Sequence, residues 1–454
     1  MRAPGPDLRL DSVARGENPV GSLRPATERQ YRGRCSTRRA ERQEADLLND
    51  YEYFAGIDWG SEKHRVCLIN RDGQILAERW IEHSGPSLAE LTVWLRQQTS
   101  DSTSLLATAI EIPRGAVVET LLEHGLTVFS INPKQLDRFR DRYSSAGAKD
   151  DRRDAFVLAD ALRTDMHCFR AVKLDDPYVI RLRELSRMDD ELAQEQNRAT
   201  NRLREQFHRF FPQLLQLSEC ADEPWLWALF EMAPSPLGAA RLTEARIARL
   251  LRQHRIRRIA AAEVRAVLKT KPLTLAPGAS EAAAEHALLL LPRVRLLQRQ
   301  RTDLARRISA LLDELATPAE GQQEHRDAAI LLSLPGLGRK IAATMLSEAS
   351  QAIADRDYHA LRCYSGAAPI TRQSGKKKIV IMRRGINERL RNALYHWARV
   401  SVVFDPQSKK RYAAMRACGH SHGRALRGMA DRWLKILTSM LTTGTLYDQQ
   451  RRAA

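Results

Sequence analysis

A regular pattern of apolar and polar residues begins near Tyr51 and predicts an α/β domain. Alternating or continuous short apolar runs predict strands, and apolar residues at helical spacing predict helices. Three antiparallel strands followed by alternating helices and strands is the order of an RNase H-like domain, which we assign to residues 51–168. The predicted strands are 53–58, 64–70, 74–81, 104–112 and 126–131, and the predicted helices are 88–95, 117–124 and 150–163.

Two long amphipathic stretches follow, at residues 178–216 and about 282–316. Both carry apolar residues at helical spacing among many Arg, Glu and Gln residues. This pattern is typical of a coiled coil, including one formed across a dimer, and equally of an ordinary helical bundle. Residues 224–271 read as a helical insert that is joined to the second stretch by a loop rich in proline and glycine. We therefore predict a coiled-coil or helical segment with an insert at residues 178–316.

The two ends of the chain differ in texture. Residues 1–50 are rich in Arg, Pro, Gly and Ser and show no sustained periodicity, which predicts a flexible basic extension. Residues 325–450 return to helical spacing and are predicted to form a mainly α-helical C-terminal domain.

Charge changes this picture, because the chain is strongly basic. Its 73 Lys and Arg residues exceed its 55 Asp and Glu residues, for a formal net charge of +18. Such an excess points to a polyanionic partner, since neutralisation of phosphates dominates nucleic-acid affinity. DNA or RNA is therefore the expected partner.

Cysteines and hydropathy exclude two other classes. The six cysteines are scattered without a CxxC pair, which argues against a zinc site and a disulfide framework. No apolar run reaches the roughly 18 to 20 residues that span a bilayer, and no secretory signal is apparent. We expect a protein of the bacterial cytosol without a membrane partner.

Four acidic residues are placed at the ends of predicted elements. Asp58 ends the first strand, Glu111 ends the fourth, and Asp151 and Asp154 share one face of the last helix of the domain. Converging carboxylates need cations, and their hard oxygen atoms suit Mg²⁺ or Mn²⁺. Two such ions can stabilise the attacking and leaving oxygens of a phosphodiester displacement. Asp150 remains an alternative to Asp151, because it too can share the face of Asp154.

A helix-hairpin-helix is predicted where the sequence reads Leu334-Pro-Gly336-Leu-Gly338-Arg339-Lys340. The glycines permit a tight turn whose backbone N–H groups can face a phosphate without reading sequence. Arg339 and Lys340 then begin a helix, whose N-terminus also favours anions. A helix connector without nucleic acid is the alternative.

A basic segment further on contains a serine that is followed by glycine. Ser374 precedes Gly375 and is surrounded by cations that we predict to bind nucleic acid: Lys376, Lys377, Lys378, Arg383, Arg384 and Arg389. An exposed hydroxyl among such cations can act as a nucleophile in phosphoryl transfer. Taken alone, a Ser-Gly pair in a basic loop is more often a turn that contacts phosphate.

The order of these motifs is recognisable. The N-terminal half carries GIDWGSEKH with Asp58, AIEIPRG with Glu111, and AKDDRRDAFVLADALR with Asp151 and Asp154. The C-terminal half carries LLSLPGLGRKIAATMLSE and YSGAAPITRQSGKKK. Over residues 52–450 the chain resembles the insertion-sequence-110 family of transposases, also called DEDD transposases or bridge-RNA-guided recombinases.

The resemblance implies more than the residues alone do. It implies a RuvC-like domain, a coiled-coil segment and a C-terminal transposase domain with a nucleophilic serine at Ser374, with Ser365 as the alternative. It also implies a covalent 5′-phosphoserine intermediate, Mg²⁺ held by the four acids near the same composite site, a non-coding guide RNA, and assembly as a homodimer or tetramer.

Two other functions fit the same residues. A RuvC-like junction nuclease would hydrolyse DNA with water, and Ser374 would then only contact phosphate. A non-enzymatic nucleic-acid-binding protein would use neither the acids nor the serine.

Overall fold

The computed structural model describes residues 51–143, 150–317, 326–375 and 377–450. They form two compact units that divide between Leu174 and Asp175. The predicted extension at residues 1–50 and the predicted contact residue Lys376 lie outside the described residues. Within the described ranges, no helix combines the length and apolar character that crossing a membrane requires.

The N-terminal unit is built on a six-stranded mixed sheet in the order β3-β2-β1-β4-β5-β6. Strands β1, β2 and β3 are antiparallel, whereas β4 and β5 run parallel to β1. This arrangement agrees with the predicted RNase H-like fold. The strands are β1 Tyr53–Asp58, β2 Lys63–Asn70, β3 Ile75–Glu82, β4 Leu106–Ile110, β5 Thr127–Ser130 and β6 Arg170–Ala171.

Helices cover both faces of this sheet, because its central strands are apolar on both sides. One face packs against α1 (Gly85–Gln98) and α2 (Ala116–Glu123). The opposite face packs against α4 (Asp151–Asp165) and Leu136 of α3 (Pro133–Arg140). The carboxyl ends of β1 and β4 therefore meet the helix that carries Asp151 and Asp154.

Helix α3 was not predicted from the sequence, although its start has a clear signal. Asn132 caps the helix by accepting a hydrogen bond from the Lys134 backbone N–H at 3.0 Å, and Pro133 is the first helical residue. The pattern PKQLDRFR offers only two apolar residues, so periodicity alone misses it. This helix ends at Arg140, whose side chain proves important for the site.

Two long helices dominate the C-terminal unit. Helix α5 (Pro177–Phe210) and helix α11 (Ala279–Ala316) pack along each other, and α11 continues through Pro292. The C-terminal half of α5 and the N-terminal half of α11 share a hydrophobic core with the segment between them, centred on Trp225, Trp227 and Phe230. The first long helix ends at Phe210, before the predicted 216, and a separate short helix α6 (Gln213–Leu217) follows it. The predicted insert at residues 224–271 contains the helices α7 Pro224–Met232, α8 Pro236–Ala239, α9 Glu244–Gln253 and α10 Ala261–Leu268.

The other ends of the long helices pack into a second helical core around Trp397 and Trp433. Besides the long helices, the described residues contribute these helices to it: α12 Arg326–Ser333, α13 Arg339–Glu348, α14 Ser350–Ala354, α15 Tyr358–Tyr364, α16 Glu388–Phe404, α17 Pro406–Ala417 and α18 His422–Thr443. A two-stranded hairpin, β7 (Ile370–Ser374) and β8 (Lys377–Ile381), stands between α15 and α16. The sequence predicted a loop there.

Candidate functional site

Two of the predicted acids lie at the carboxyl ends of neighbouring parallel strands: Asp58 is the last residue of β1, and Glu111 follows β4. Ile57 of β1 pairs in register with Ile110 of β4, and both are buried on the same face of the sheet. The next residues are Asp58 and Glu111, both half-buried. Because side chains alternate along a strand, Asp58 belongs to the opposite face, which α4 covers.

Gly56 brings α4 close to β1. A Cβ at Gly56 would lie 2.0 Å from the Ala155 carbonyl oxygen and 2.6 Å from the Ala159 amide nitrogen. The helix and the strand thus meet backbone to backbone, one residue after Asp154 and two residues before Asp58. This close approach brings the first turn of α4 to the end of the sheet.

Arg140 joins the acids that this packing brings together. Its Nε donates to Asp154 Oδ1 at 2.8 Å, and its Nη2 donates to Asp154 Oδ2 at 3.0 Å. The same Nη2 lies 3.8 Å from Glu111 Oε2, and Nη1 donates to Asp137 Oδ1 at 2.7 Å. The Asp154 side chain is only 2% exposed. One guanidinium therefore neutralises a buried carboxylate and faces a second predicted metal ligand.

These contacts also perturb Arg140. Burial by itself would lower the pKa of its guanidinium, but the hydrogen bonds and charges of Asp154, Asp137 and Glu111 raise that pKa above its ordinary value. Arg140 is consequently a permanent cation in this site.

The other two acids of the DxxD region have different surroundings. Asp150 caps α4 by accepting from the Arg152 backbone N–H at 3.2 Å. Asp151 is exposed on the first helical turn. Across the described ranges, no three His, Cys, Asp or Glu side chains converge tightly enough to hold a metal ion. Carboxylate oxygens are nevertheless the ligands that Mg²⁺ prefers, although Arg140 already supplies the cation that the buried Asp154 carboxylate requires.

A buried histidine fixes the turn after Asp58. The Gly60 backbone N–H donates to His64 Nδ1 at 3.3 Å, so the ring proton sits on Nε2, which lies 2.9 Å from His83 Nδ1. Burial, together with the charge of His83, lowers the pKa of His64. The neutral ring therefore links this turn to β2 and to the residue that follows β3.

Ser374 is exposed at the tip of the β7–β8 hairpin. It pairs in register with Lys377, and Gly375 makes the turn with a φ of +53°. Because strand residues alternate between faces, Arg372, Ser374 and Lys377 share one face of the hairpin. Lys378 lies on the other face, opposite Gln373.

Ser365, the alternative nucleophile, is in a different environment. Its side chain is buried at the end of α15, where its hydroxyl donates to the Arg362 carbonyl oxygen at 3.4 Å. Ser374 is therefore accessible to a phosphodiester, whereas Ser365 is not.

The predicted helix-hairpin-helix region consists of α12, a five-residue connection and α13. Gly336 has a φ of +73°, and a Cβ there would lie 3.1 Å from the Ser401 amide nitrogen of α16. The Trp397 ring N–H donates to the Pro335 carbonyl oxygen at 3.1 Å. This turn packs against α16, whereas Gly338 is exposed at the start of α13.

Three of the predicted nucleic-acid-binding cations have carboxylate partners within this unit. Arg339 pairs with Asp313 at 2.7 Å, and Lys340 pairs with Asp189 at 2.5 Å and with Asp190 at 2.9 Å. Arg389 pairs with Asp190 and with the buried Glu348, each at 3.1 Å. These contacts tie α13 and α16 to the long helices. Lys377, Lys378 and Arg384 are exposed, whereas Arg383 is half-buried.

Comparison with known proteins connects both regions to one family. A transposase family model for the DEDD domain of IS110 elements matches residues 55–212, and a model described as "Transposase IS116/IS110/IS902 family" matches residues 328–413. The chain is 33% identical over 413 residues to "Mini-circle putative transposase for IS117" from Streptomyces coelicolor, covering 88% of this chain and 96% of that protein.

The chain belongs to the IS110 family of transposases.

Other relatives agree with this assignment. The chain is 53% identical over 207 residues to "Putative transposase y4uE" from Sinorhizobium fredii, which is 45% of this chain and 57% of that protein. It is 27% identical over 408 residues to "Insertion element IS900 uncharacterized 42 kDa protein" from Mycobacterium paratuberculosis. Two family models thus separately cover the acids and the serine of this IS110-family protein.

Three features of this transposase were missed by sequence reasoning. Gly56 lies in the quoted GIDWGSEKH motif, but only its contact with α4 shows its purpose. Arg140 required helix α3 to be recognised. Asp160 is buried on α4, where it accepts hydrogen bonds from Arg163 at 2.9 Å and from Tyr143, whose pKa burial and this carboxylate raise to about 12.

Proposed function

We propose that this protein is the DNA recombinase of an insertion sequence and that it cleaves and exchanges strands through a phosphoserine intermediate with Mg²⁺. The observation that carries the proposal is the meeting of Glu111 and Asp154 around one cation, beside the carboxyl end of β1. A buried carboxylate and a half-buried one that share a positive charge suit chemistry on phosphate.

Asp58, Glu111, Asp151 and Asp154 would hold the metal, with Mn²⁺ as a substitute and two ions as the expected number. The bound ions would supply charge stabilisation to the oxygens of the phosphodiester under attack. Asp151 suits this role better than Asp150, because the Asp150 carboxylate already caps α4. The chain's own contribution is to hold these carboxylates at fixed strand and helix ends.

Ser374 would be the nucleophile. Its Oγ forms a bond to phosphorus while the bond from phosphorus to the 3′ oxygen breaks, so the serine proton is lost and the released 3′ oxygen gains one. The product is a 5′-phosphoserine and a free 3′ hydroxyl, and the reverse attack by another 3′ hydroxyl completes exchange. Arg372 and Lys377 share the face of Ser374 and can stabilise the charge that develops.

DNA would be the substrate, and a non-coding RNA of the element would direct it by base pairing. The net charge of +18 suits both nucleic acids. The nucleic-acid contacts that we propose are the Gly336–Gly338 turn and the cations Lys376, Lys377, Lys378, Arg383 and Arg384. We further propose that the protein acts in the cytoplasm and assembles as a homodimer or tetramer. Arg339, Lys340 and Arg389 would reach phosphate only after leaving their carboxylates.

Strand cleavage of the element's junction DNA tests this proposal, with Mg²⁺ and RNA transcribed from its flanking sequence. Asp58→Asn, Glu111→Gln and Asp154→Asn should each reduce cleavage by at least about a hundredfold, the scale seen when one charge-stabilising group is lost. Asp72→Asn, in the exposed β2–β3 turn, is the matched control and should cleave normally. Full cleavage by Asp154→Asn would refute the acidic site.

A further inference from the structure

The buried Asp154 carboxylate is already paired with a cation, the Arg140 guanidinium. Arg140 occupies both Asp154 oxygens and reaches Glu111 with the same nitrogen. A divalent ion at these oxygens would lie within a few ångströms of the guanidinium. Two like charges that contact the same buried carboxylate repel each other, so both cannot hold Asp154 in this geometry.

Arg140 has another carboxylate within reach. Asp137 lies one turn earlier on α3, accepts from Arg140 Nη1 at 2.7 Å, and has a 66% exposed side chain. Arg140 itself is 25% exposed, at the rim of the site. A small rotation of the long side chain would exchange the buried partner for the exposed one, and the helix would not need to move.

We propose that Arg140 is an internal counter-ion that competes with the divalent cation for Asp154 and Glu111 and withdraws to Asp137 when the metal binds. This inference rests on the proposed function, because it requires a metal at the acidic site. Arg140 is here a positioning residue: it holds the buried carboxylate in place before the metal arrives and sets the metal concentration at which the site fills.

Mn²⁺ binding to the full chain without DNA tests this competition, with free Mn²⁺ followed by electron paramagnetic resonance. Arg140→Gln removes the competing charge, so its Kd should fall about tenfold, a typical coupling between charges in contact. Arg140→Lys keeps the charge but loses the bidentate contact, so its Kd for Mn²⁺ should lie between that of the wild type and that of Arg140→Gln. Arg142→Gln, whose guanidinium pairs with Asp165 at 3.3 Å, is the control and should match the wild type.

Thermal unfolding supplies a second readout. Without metal, Arg140→Gln should melt earlier than the wild type because Asp154 is left buried and uncompensated, and Mn²⁺ should raise its Tm by more than it raises that of the wild type. If Arg140 had a purely structural role, its loss would also lower the Tm, but it would not tighten Mn²⁺ binding. Should Arg140→Gln fail to fold, the Arg140→Lys titration decides the question alone.

Failure of the competition and failure of the proposed metal site would give different results. If the wild type binds Mn²⁺ through Asp154, as loss of binding in Asp154→Asn would demonstrate, and neither Arg140 variant binds more tightly, only the competition is refuted. If wild type and variants all bind no Mn²⁺, the metal site of the proposed function falls together with it.

Discussion

At Gly56 the sheet and the helix that carries Asp154 touch through their backbones. Only a residue without a side chain fits there, because a Cβ would lie 2.0 Å from the Ala155 carbonyl oxygen. Backbone atoms cannot move aside as the tip of a flexible side chain can. The glycine thus sets the distance between the helix carrying the DxxD acids and the strand ending in Asp58.

Replacing Gly56 with alanine should therefore be costly. We expect Gly56→Ala to lower the free energy of unfolding of the N-terminal unit by about 3 kcal/mol, the upper part of the range for overpacking. Gly85→Ala is the matched control, since nothing lies within 4 Å of its Cβ position. Denaturant unfolding of both variants checks this, and equal stabilities would contradict the close contact.

His64 gives the N-terminal unit a pH-dependent stability. Its pKa lies below the ordinary value of 6.5 because the ring is buried beside His83, so the fold favours the neutral ring. The unfolded chain binds this proton more readily. The stabilisation is therefore complete above the unfolded pKa and is lost as pH falls through the lowered folded pKa.

His64→Gln should flatten this dependence between about pH 7 and about pH 5, because glutamine keeps an acceptor for Gly60 without titrating. His208→Gln, an exposed histidine of the other unit, should leave the profile unchanged. Melting temperatures across this range provide the measurement, and an unchanged slope in His64→Gln would refute the assignment.

At the scale of elements, the β7–β8 hairpin presents Ser374 on an exposed support. Ile379, Val380 and Met382 are 44%, 62% and 47% exposed. A two-stranded ribbon with little core is marginally stable by itself. The hairpin cations Lys377 and Lys378 extend from this exposed ribbon, whereas Lys340 and Arg389 join helices by pairing with carboxylates.

Salt dependence of DNA binding should separate these two groups of cations. Lys377→Ala and Lys378→Ala should each reduce the slope of log K against log salt by about 0.9, the value for one phosphate contact. Lys340→Ala should instead lower the Tm, because the buried Asp189 would lose a cation that pairs with it. An unchanged slope in both hairpin variants would contradict their role as phosphate contacts.

The elements also show where sequence reasoning succeeds. The strands up to Asn70 and the helix of the DxxD acids follow simple apolar periods, and the structure confirms them within a few residues. Helix α3 has too few apolar residues to show a helical period, so the sequence did not place Arg140 at the site. The hairpin has a β-branched second strand, but its polar first strand ending in Ser374 reads as a loop.

At the scale of the whole molecule, two units carry the two parts of the proposed chemistry. The acids lie in the unit before Leu174 and the serine in the unit after it, and each is matched by its own family model. Motif order could reveal this division from sequence. It could not reveal that Lys340 and Arg389 pair with carboxylates of the same unit, since their partners Asp189 and Glu348 lie far from them along the chain.

The most direct test of the central claim is a denaturing gel for a covalent protein–DNA product, formed from junction DNA, Mg²⁺ and the flanking RNA. We expect a band for the wild type and for Thr371→Ala, a change on the opposite face of the same strand, and no band for Ser374→Ala. A band that persists in Ser374→Ala, or nicked DNA without any adduct in the wild type, would contradict it. The latter result would favour a RuvC-like junction nuclease.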